Sequence, residues 1–500
     1  MTLKLKVLLV GSALLECTLA KRNLVLMISD GFGMTSETMA RSYMQQLEEP
    51  STSWSSILDS MLVGSVRTQS SSSLVTDSAA GATAFSCAQK TYNGAIGVDA
   101  QGRPCGTILE AAKQKGLRTG LVTTARITHA TPASFAAHVV DRNMEDLIAL
   151  QLLARNSTTS QQVVDLMIGG GLCHFLPSQR DASCRLDDMD VWQMAQQLGF
   201  TTIDNPQEFG LLSANTSLPL LATFSPSHMA FDIDRDQKQP ALHQMAQKAL
   251  DILNHHSAEQ GFFLMIEGAR IDMAGHDNDP AAHLHDIIEF WRTVAQVQRF
   301  VRDNPDTLLV STSDHETGGL TLGIDPSYFW LPQSLQPIRH SAEYLCNHYL
   351  LHNSLALNSN DRQQFISDTL MPEYLGIHNA TADEIQIIID SLESSSTKAE
   401  PDSSSEEENN NRHKRCKRAL GGIVSRRAHI GWSTGGHSGA DVGLYAYGNH
   451  ADRFKGNMEN THLGNLLLDY LQLNTDSITE ALSSIQTKQL KFSNSADEHN

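Results

Sequence analysis

The chain is 500 residues long, more than one hydrophobic core usually covers, so several domains or one large α/β domain with insertions is expected. Apolar residues make up 40% and charged residues 19%, which excludes a disordered chain and a membrane bundle. The 37 Lys and Arg against 56 Asp and Glu give a formal charge of −19, which excludes a nucleic-acid or anionic-lipid binder; an anionic substrate would need a local cation.

The first predicted element is a leader. Lys4 and Lys6 precede an apolar stretch over 7–15, and small residues close it at Ala20, the pattern of a secretory signal over 1–20. A short uncleaved anchor is the alternative, although Glu16 interrupts the run well before the roughly 20 apolar residues a membrane span needs. Apolar, β-branched runs then recur at 24–29, 117–124, 163–168, 262–266 and 308–313, each ending in polar or glycine-rich residues. Runs of this kind are strands buried on both faces. Helical patterns at 106–115, 241–254 and 285–303 lie between them, so the fold class is α/β with a doubly wound, mainly parallel sheet. Ligands of such sheets bind beyond the carboxyl ends of the strands. Here those ends carry Asp30, His129, Glu267, Asp314 and His315. Turn formation explains an Asp at one or two of them, but not potential metal ligands at four.

The expected organisation is a catalytic domain over 21–326 and 428–475, interrupted by a crown-like insertion over 327–427, with a C-terminal tail over 476–500. Residues 393–418 are low in complexity, first acidic and then basic (RHKRCKR), and are expected to form an exposed loop. Three sequons, at Asn156, Asn215 and Asn379, fit a secreted glycoprotein. Removal of the leader takes Cys17 and leaves an even set of cysteines, as an oxidising compartment favours; Cys173–Cys184 is the most plausible short disulfide loop. The cysteines lack zinc-type CxxC spacing.

Val75-Thr76-Asp77-Ser78 leads into an alanine-rich stretch that should be helical, which places Ser78 at a helix start. A plain N-cap is the competing role for it. Without a GxSxG elbow, activation by metal rather than by a hydrolase triad is the open question. Asp272 and His276 share one helix face, Asp314 and His315 end a strand, and His437 lies in a glycine-rich loop; oxygen with imidazole suits zinc. Asp30, Glu267 and the Thr131 hydroxyl form an all-oxygen set that suits magnesium.

The blocks ISDGFG, VTDSAAGATAFSC, THATPASFAAHVVDRN, IEGARIDMAGHDND, STSDHETGG and TGGHSG occur in one order from residue 23 to about 439. Taken together they resemble the alkaline phosphatase family, and NGAIGVD and RPCGTILEAAK look most similar to its fungal vacuolar-type branch. The resemblance implies hydrolysis of phosphate monoesters through a phosphoserine at Ser78, with two zinc ions and one magnesium ion. It implies Asp272, His276 and His437 at the first zinc, and Asp30, Asp314, His315 and the Ser78 oxygen at the second. Asp30, Thr131 and Glu267 would hold magnesium, with His129 and Met273 beside that site, and Arg142 would grip the phosphoryl group. A homodimer in the secretory pathway, secreted or vacuolar and membrane-associated, is implied as well. A sulfatase would carry a CxPxR-type motif, which is absent around Ser78, and serine with Arg142 favours monoesters over diesters. A non-catalytic metal-binding or adhesion protein on this fold requires loss of a ligand or nucleophile, and none is missing.

Overall fold

The computed structural model describes residues 21–48, 53–154, 162–351, 358–393 and 405–484. The leader, Asn156 and part of the low-complexity run lie outside the described residues. A ten-stranded sheet runs through the molecule in the order β14-β2-β13-β8-β1-β7-β3-β4-β6-β5. These are β1 (Asn23–Ser29), β2 (Leu62–Arg67), β3 (Arg118–Arg126), β4 (Leu166–Gly170), β5 (Thr201–Ile203), β6 (Leu220–Thr223), β7 (Phe262–Gly268), β8 (Thr307–Thr312), β13 (Val442–Gly448) and β14 (Gly456–Glu459). Four short strands make two separate pairs: β9 (Glu316–Thr317) with β12 (His437–Ser438), and β10 (Leu320–Leu322) with β11 (Ile430–Trp432). β8, β1, β7, β3, β4, β6 and β5 are all parallel, whereas β13 is antiparallel to both its neighbours.

The reason for the long apolar runs is visible in β1. Val25 and Met27 enter one buried cluster, and Leu24, Leu26 and Ile28 enter another on the opposite face. Both faces are covered, so alternation disappears from the sequence. On one face lie the helices Leu242–His256 and Pro280–Asp303, the second started by Asp279, whose side chain accepts from the Ala281 and Ala282 amides ahead of a proline first turn. On the other lie Ser78–Ser86, Ile108–Gln114 and Asn460–Leu471.

Two further regions take regular structure. From Ser405 onward the low-complexity run is helix rather than loop: Ser405–Ala428 is a 24-residue helix. Cys416, Leu420, Ile423, Val424 and Ala428 sit at helical spacing, and all five are buried. Cys416 is bonded to Cys346, and Leu345, Ile366, Leu370 and Ile388 share a core with Met27 and Ile287. The described parts of 327–427 therefore contribute to the main core. The tail is likewise structured in part: residues 476–484 are helical, Thr479 Oγ1 accepts from the Gly106 amide at 2.8 Å, and Ile478 is buried. Among the described residues, Cys87–Cys105 and the expected Cys173–Cys184 complete the disulfides. Among the described residues no helix is long and apolar enough to cross a membrane.

Candidate metal centre and active site

The four central strands, β8, β1, β7 and β3, are adjacent and parallel, so their carboxyl ends form one continuous edge. Asp30 follows β1, Glu267 closes β7, Thr131 and His129 follow β3, and Asp314 and His315 follow β8. Gly31 turns the chain after β1 with φ of 75°, and a Cβ there would lie 2.6 Å from Asp272 Cα. Only glycine satisfies both demands. Pairing of β12 with β9 sets His437 opposite Thr317, which delivers a ligand remote in sequence to the same edge.

Three groups of donors result. In the first, His276 Nε2 lies 3.3 Å from Asp272 Oδ2, His437 Nε2 lies 3.6 Å from Asp272 Oδ1, and the two imidazole Nε2 atoms are 3.1 Å apart. Each ring has its Nδ1 on a backbone carbonyl: His276 on Gly435 at 2.9 Å and His437 on Thr76 at 2.8 Å. With Nδ1 donating, both Nε2 atoms converge on Asp272; burial opposes charge on His276 but Asp272 raises it to about 9, so a bound cation would replace a proton at Nε2. In the second group, His315 Nε2 lies 3.3 Å from Asp314 Oδ2, 3.5 Å from Asp30 Oδ1 and 3.1 Å from Ser78 Oγ. The His315 and His437 rings stack at 3.5 Å, so the first two groups adjoin. In the third, ligand atoms of Asp30, His129 and Glu267 lie within 4.8 Å of one another.

This donor set fits divalent cations. Both Asp30 oxygens, Asp314 Oδ2, Glu267 Oε1, Thr131 Oγ1 and His129 Nδ1 are buried without a hydrogen-bond partner. Buried polar atoms are almost always satisfied, so orphans concentrated at one edge mark a missing partner. Burial, reinforced by neighbouring carboxylates, pushes Asp30 well up, Glu267 to about 8 and Asp314 to about 7. Positive charge in the site would keep them ionised. Asp272 goes the other way: burial opposes, but His276, His437 and His315 hold it well below the carboxylate range.

Ser78 is not the cap. Asp77 caps the helix, its Oδ1 accepting from Ala80 at 3.0 Å, and Ser78 is the first helical residue, buried with its hydroxyl toward His315. Arg142 is anchored by Asp77 Oδ2 and His129 Nε2, each at 3.0 Å. Burial and the charges of Arg142 and Arg126 depress His129 to about 3, so its ring is neutral. Met273 brings no charge; its sulfur accepts from Arg270 at 2.8 Å, and it packs against Phe231, Ala274 and Ala282. Two supporting residues escaped the sequence reading. Asp77 was legible, since Asp before an alanine-rich run is as good a cap as Ser. Thr317, whose hydroxyl donates to Asp272 Oδ1 at 2.5 Å, had no signal beyond its place after His315. Cys173, His174 and Cys184 lie close together, but the disulfide occupies both sulfurs.

The family model for alkaline phosphatase matches residues 21–473. The chain is 42% identical over 468 residues to the alkaline phosphatase of Schizosaccharomyces pombe, covering 92% of this chain and 82% of that one. Against the repressible alkaline phosphatase of Saccharomyces cerevisiae it is 40% identical over 500 residues, covering 94% and 85%. The crystal structure of Thermus thermophilus alkaline phosphatase superimposes with a TM-score of 0.74 at 29% identity, covering 91% of this chain and 92% of the other.

Proposed function

The chain belongs to the alkaline phosphatase family of metal-dependent phosphate monoester hydrolases, and from that premise we propose that it works through a phosphoserine at Ser78, with two zinc ions and one magnesium ion. The observation that carries this reading is the Ser78 hydroxyl, 3.1 Å from His315 and bordered by orphaned carboxylates. Asp272, His276 and His437 would hold one zinc; Asp30, Asp314, His315 and Ser78 the other. One carboxylate with two imidazoles is a zinc donor set. Asp30, Glu267 and Thr131 supply oxygen alone and would hold magnesium, with the neutral His129 alongside.

When bound, the cations supply charge neutralisation that favours the serine alkoxide and the departing oxygen. Ser78 Oγ attacks phosphorus as the ester P–O bond breaks and the alcohol departs. Water then attacks the phosphoserine, the P–Oγ bond breaks, and inorganic phosphate leaves. Arg142, whose planar guanidinium is oriented by Asp77 and His129, presents donors to two phosphoryl oxygens. As the first residue of its helix, Ser78 also keeps the phosphoryl group near free backbone amides. The test is p-nitrophenyl phosphate turnover with and without chelator. Loss on chelation and return with zinc plus magnesium supports the reading; turnover unaffected by exhaustive chelation contradicts it.

Entry into the secretory pathway, with glycosylation, is part of the proposal. Three disulfides support an oxidising destination, and Asn215 and Asn379 are exposed. A homodimer is proposed on the exposed apolar rim of Leu74, Val75 and Val140, which Asn93 and Tyr92 tie together through the Val75 and Val140 carbonyls. Light scattering that returns a monomer mass at micromolar concentration would contradict it.

A further inference from the structure

The basic run RHKRCKR is not absorbed by the reaction described above, and the structure gives one of its members a place at the mouth of the site. On the phosphatase reading, Ser78 attacks from the side of His315, Asp30 and Asp314, all fully buried, and the alcohol leaves away from them, on the side we assign to the adjoining group of Asp272, His276 and His437. That side is the open one: the His276 side chain is 38% exposed. The Gly435 carbonyl that accepts from His276 Nδ1 at 2.9 Å also accepts from Arg418 at 3.3 Å. One carbonyl oxygen therefore links the Arg418 guanidinium to a ligand on the leaving-group side.

The guanidinium lies across Gly435 so closely that a Cβ there would meet its Nη2 at 2.0 Å, Cζ at 2.6 Å and Nε at 3.1 Å. Glycine at 435 makes room for it. The helix that carries Arg418 is itself seated on the Asp277–Asn278 corner, with Gly421 against their carbonyls and Ser425 donating to Asn278 at 3.2 Å. Arg418 is thus fixed relative to His276 by a rigid element rather than by a loop. Its neighbour Lys417 is neutralised by Asp277 at 2.9 Å and Glu343 at 3.8 Å. Arg418 is exposed and pairs with no carboxylate among the described residues, and Lys414, one turn earlier on the same helix face, is also exposed. In a chain of charge −19, an unpaired cation beside His276 is a local attraction for an anion.

We propose that Arg418 is a specificity residue for the leaving group, selecting phosphate monoesters whose alcohol bears a second anionic group, a carboxylate or phosphate, a few bonds from the ester oxygen. A planar fork of donors matches either oxyanion. The inference rests on the phosphatase reading and on the leaving group's side.

The experiment compares 3-phosphoglycerate with glycerol 3-phosphate, nearly isosteric esters that differ by one carboxylate, on the metal-loaded enzyme. An exposed pair of this kind predicts that Arg418→Gln lowers the ratio of the two kcat/KM values about three- to fivefold, carried by KM. Arg418→Lys should retain most of the ratio, and about 0.5 M salt should bring the parent toward the variant. A ratio unchanged in Arg418→Gln, or an equal fall for both esters, overturns the proposal, since a merely structural contact with the 435 loop would weaken both alike. If the parent hydrolysed neither ester, the phosphatase reading would have failed instead.

Discussion

Asp77 is the most informative residue to perturb, because one carboxylate serves both the helix of the proposed nucleophile and the guanidinium proposed to grip phosphate. Its Oδ1 accepts from the Ala80 amide, and its Oδ2 accepts from the Gly94 amide and from Arg142 Nη1, all at 3.0 Å. Asp77→Asn keeps an acceptor for Ala80 and thus the cap. It replaces Oδ2 with an amide that confronts two donors. A hydrogen bond to a charged group contributes about 1.5–3 kcal/mol, whereas the cap that survives is worth about 1 kcal/mol. Fold stability should therefore fall by about 1.5–3 kcal/mol, the contribution of the bonds lost at Oδ2 rather than of the cap, while Arg142 loses its orientation. At about 1.4 kcal/mol per decade, the competitive inhibition constant for inorganic phosphate should rise roughly tenfold. Arg142 remains tethered by His129, which caps the effect. The assay is phosphate inhibition of p-nitrophenyl phosphate turnover, run as a double-mutant cycle with Arg142→Ala. In the Arg142→Ala background, Asp77→Asn should cost less than twofold. A full loss that persists there, or an inhibition constant within twofold of the parent, would refute the claim that Asp77 acts through Arg142.

Arg142→Ala alone should weaken phosphate and substrate binding by a few kcal/mol at most, because bound cations still neutralise the phosphoryl group; unchanged phosphate inhibition would contradict its role. His129→Asp should tighten magnesium, since a carboxylate replaces a neutral imidazole beside Asp30 and Glu267. Titration at constant zinc checks this, and equal or weaker magnesium binding would refute it. Glu145 gives a pH signature outside the metal ligands. Burial opposes its charge, but paired bonds to Arg126 hold it at about 2. A depressed folded value means that the pair's stabilisation is complete above the unfolded value of about 4.3 and fades as pH falls through about 2. The advantage of the parent over Glu145→Gln in unfolding free energy, roughly 2–3 kcal/mol near pH 6, should shrink steadily below pH 4; a pH-independent difference would count against the pair.

Much of the site was readable because its chemistry is local to strand ends. Asp30, Glu267, Asp314 and His315 each follow or close a buried apolar run, and such runs announce parallel strands. The adjacency of those runs was not readable, since β8, β1, β7 and β3 are far apart in sequence and meet only through crossover topology. His437 entered the site by its glycine-rich loop, but the β9–β12 pairing that delivers it is a two-residue ladder without a propensity signal. Composition misled over 405–418, where a polar and charged stretch is helical and buries Cys416. The Ser78 cap reading failed for a simple reason: two good caps stand side by side, and the aspartate took the role.

The central claim is that Ser78 carries the phosphoryl group between two displacements. The most direct measurement is to mix metal-loaded enzyme with phosphate at acidic pH, quench it, and locate the phosphorylated peptide by mass spectrometry. The account predicts one phosphoryl group, on the peptide containing Ser78, that disappears in Ser78→Ala. Phosphoenzyme undiminished in that variant, or phosphate on another residue of the parent, would contradict it.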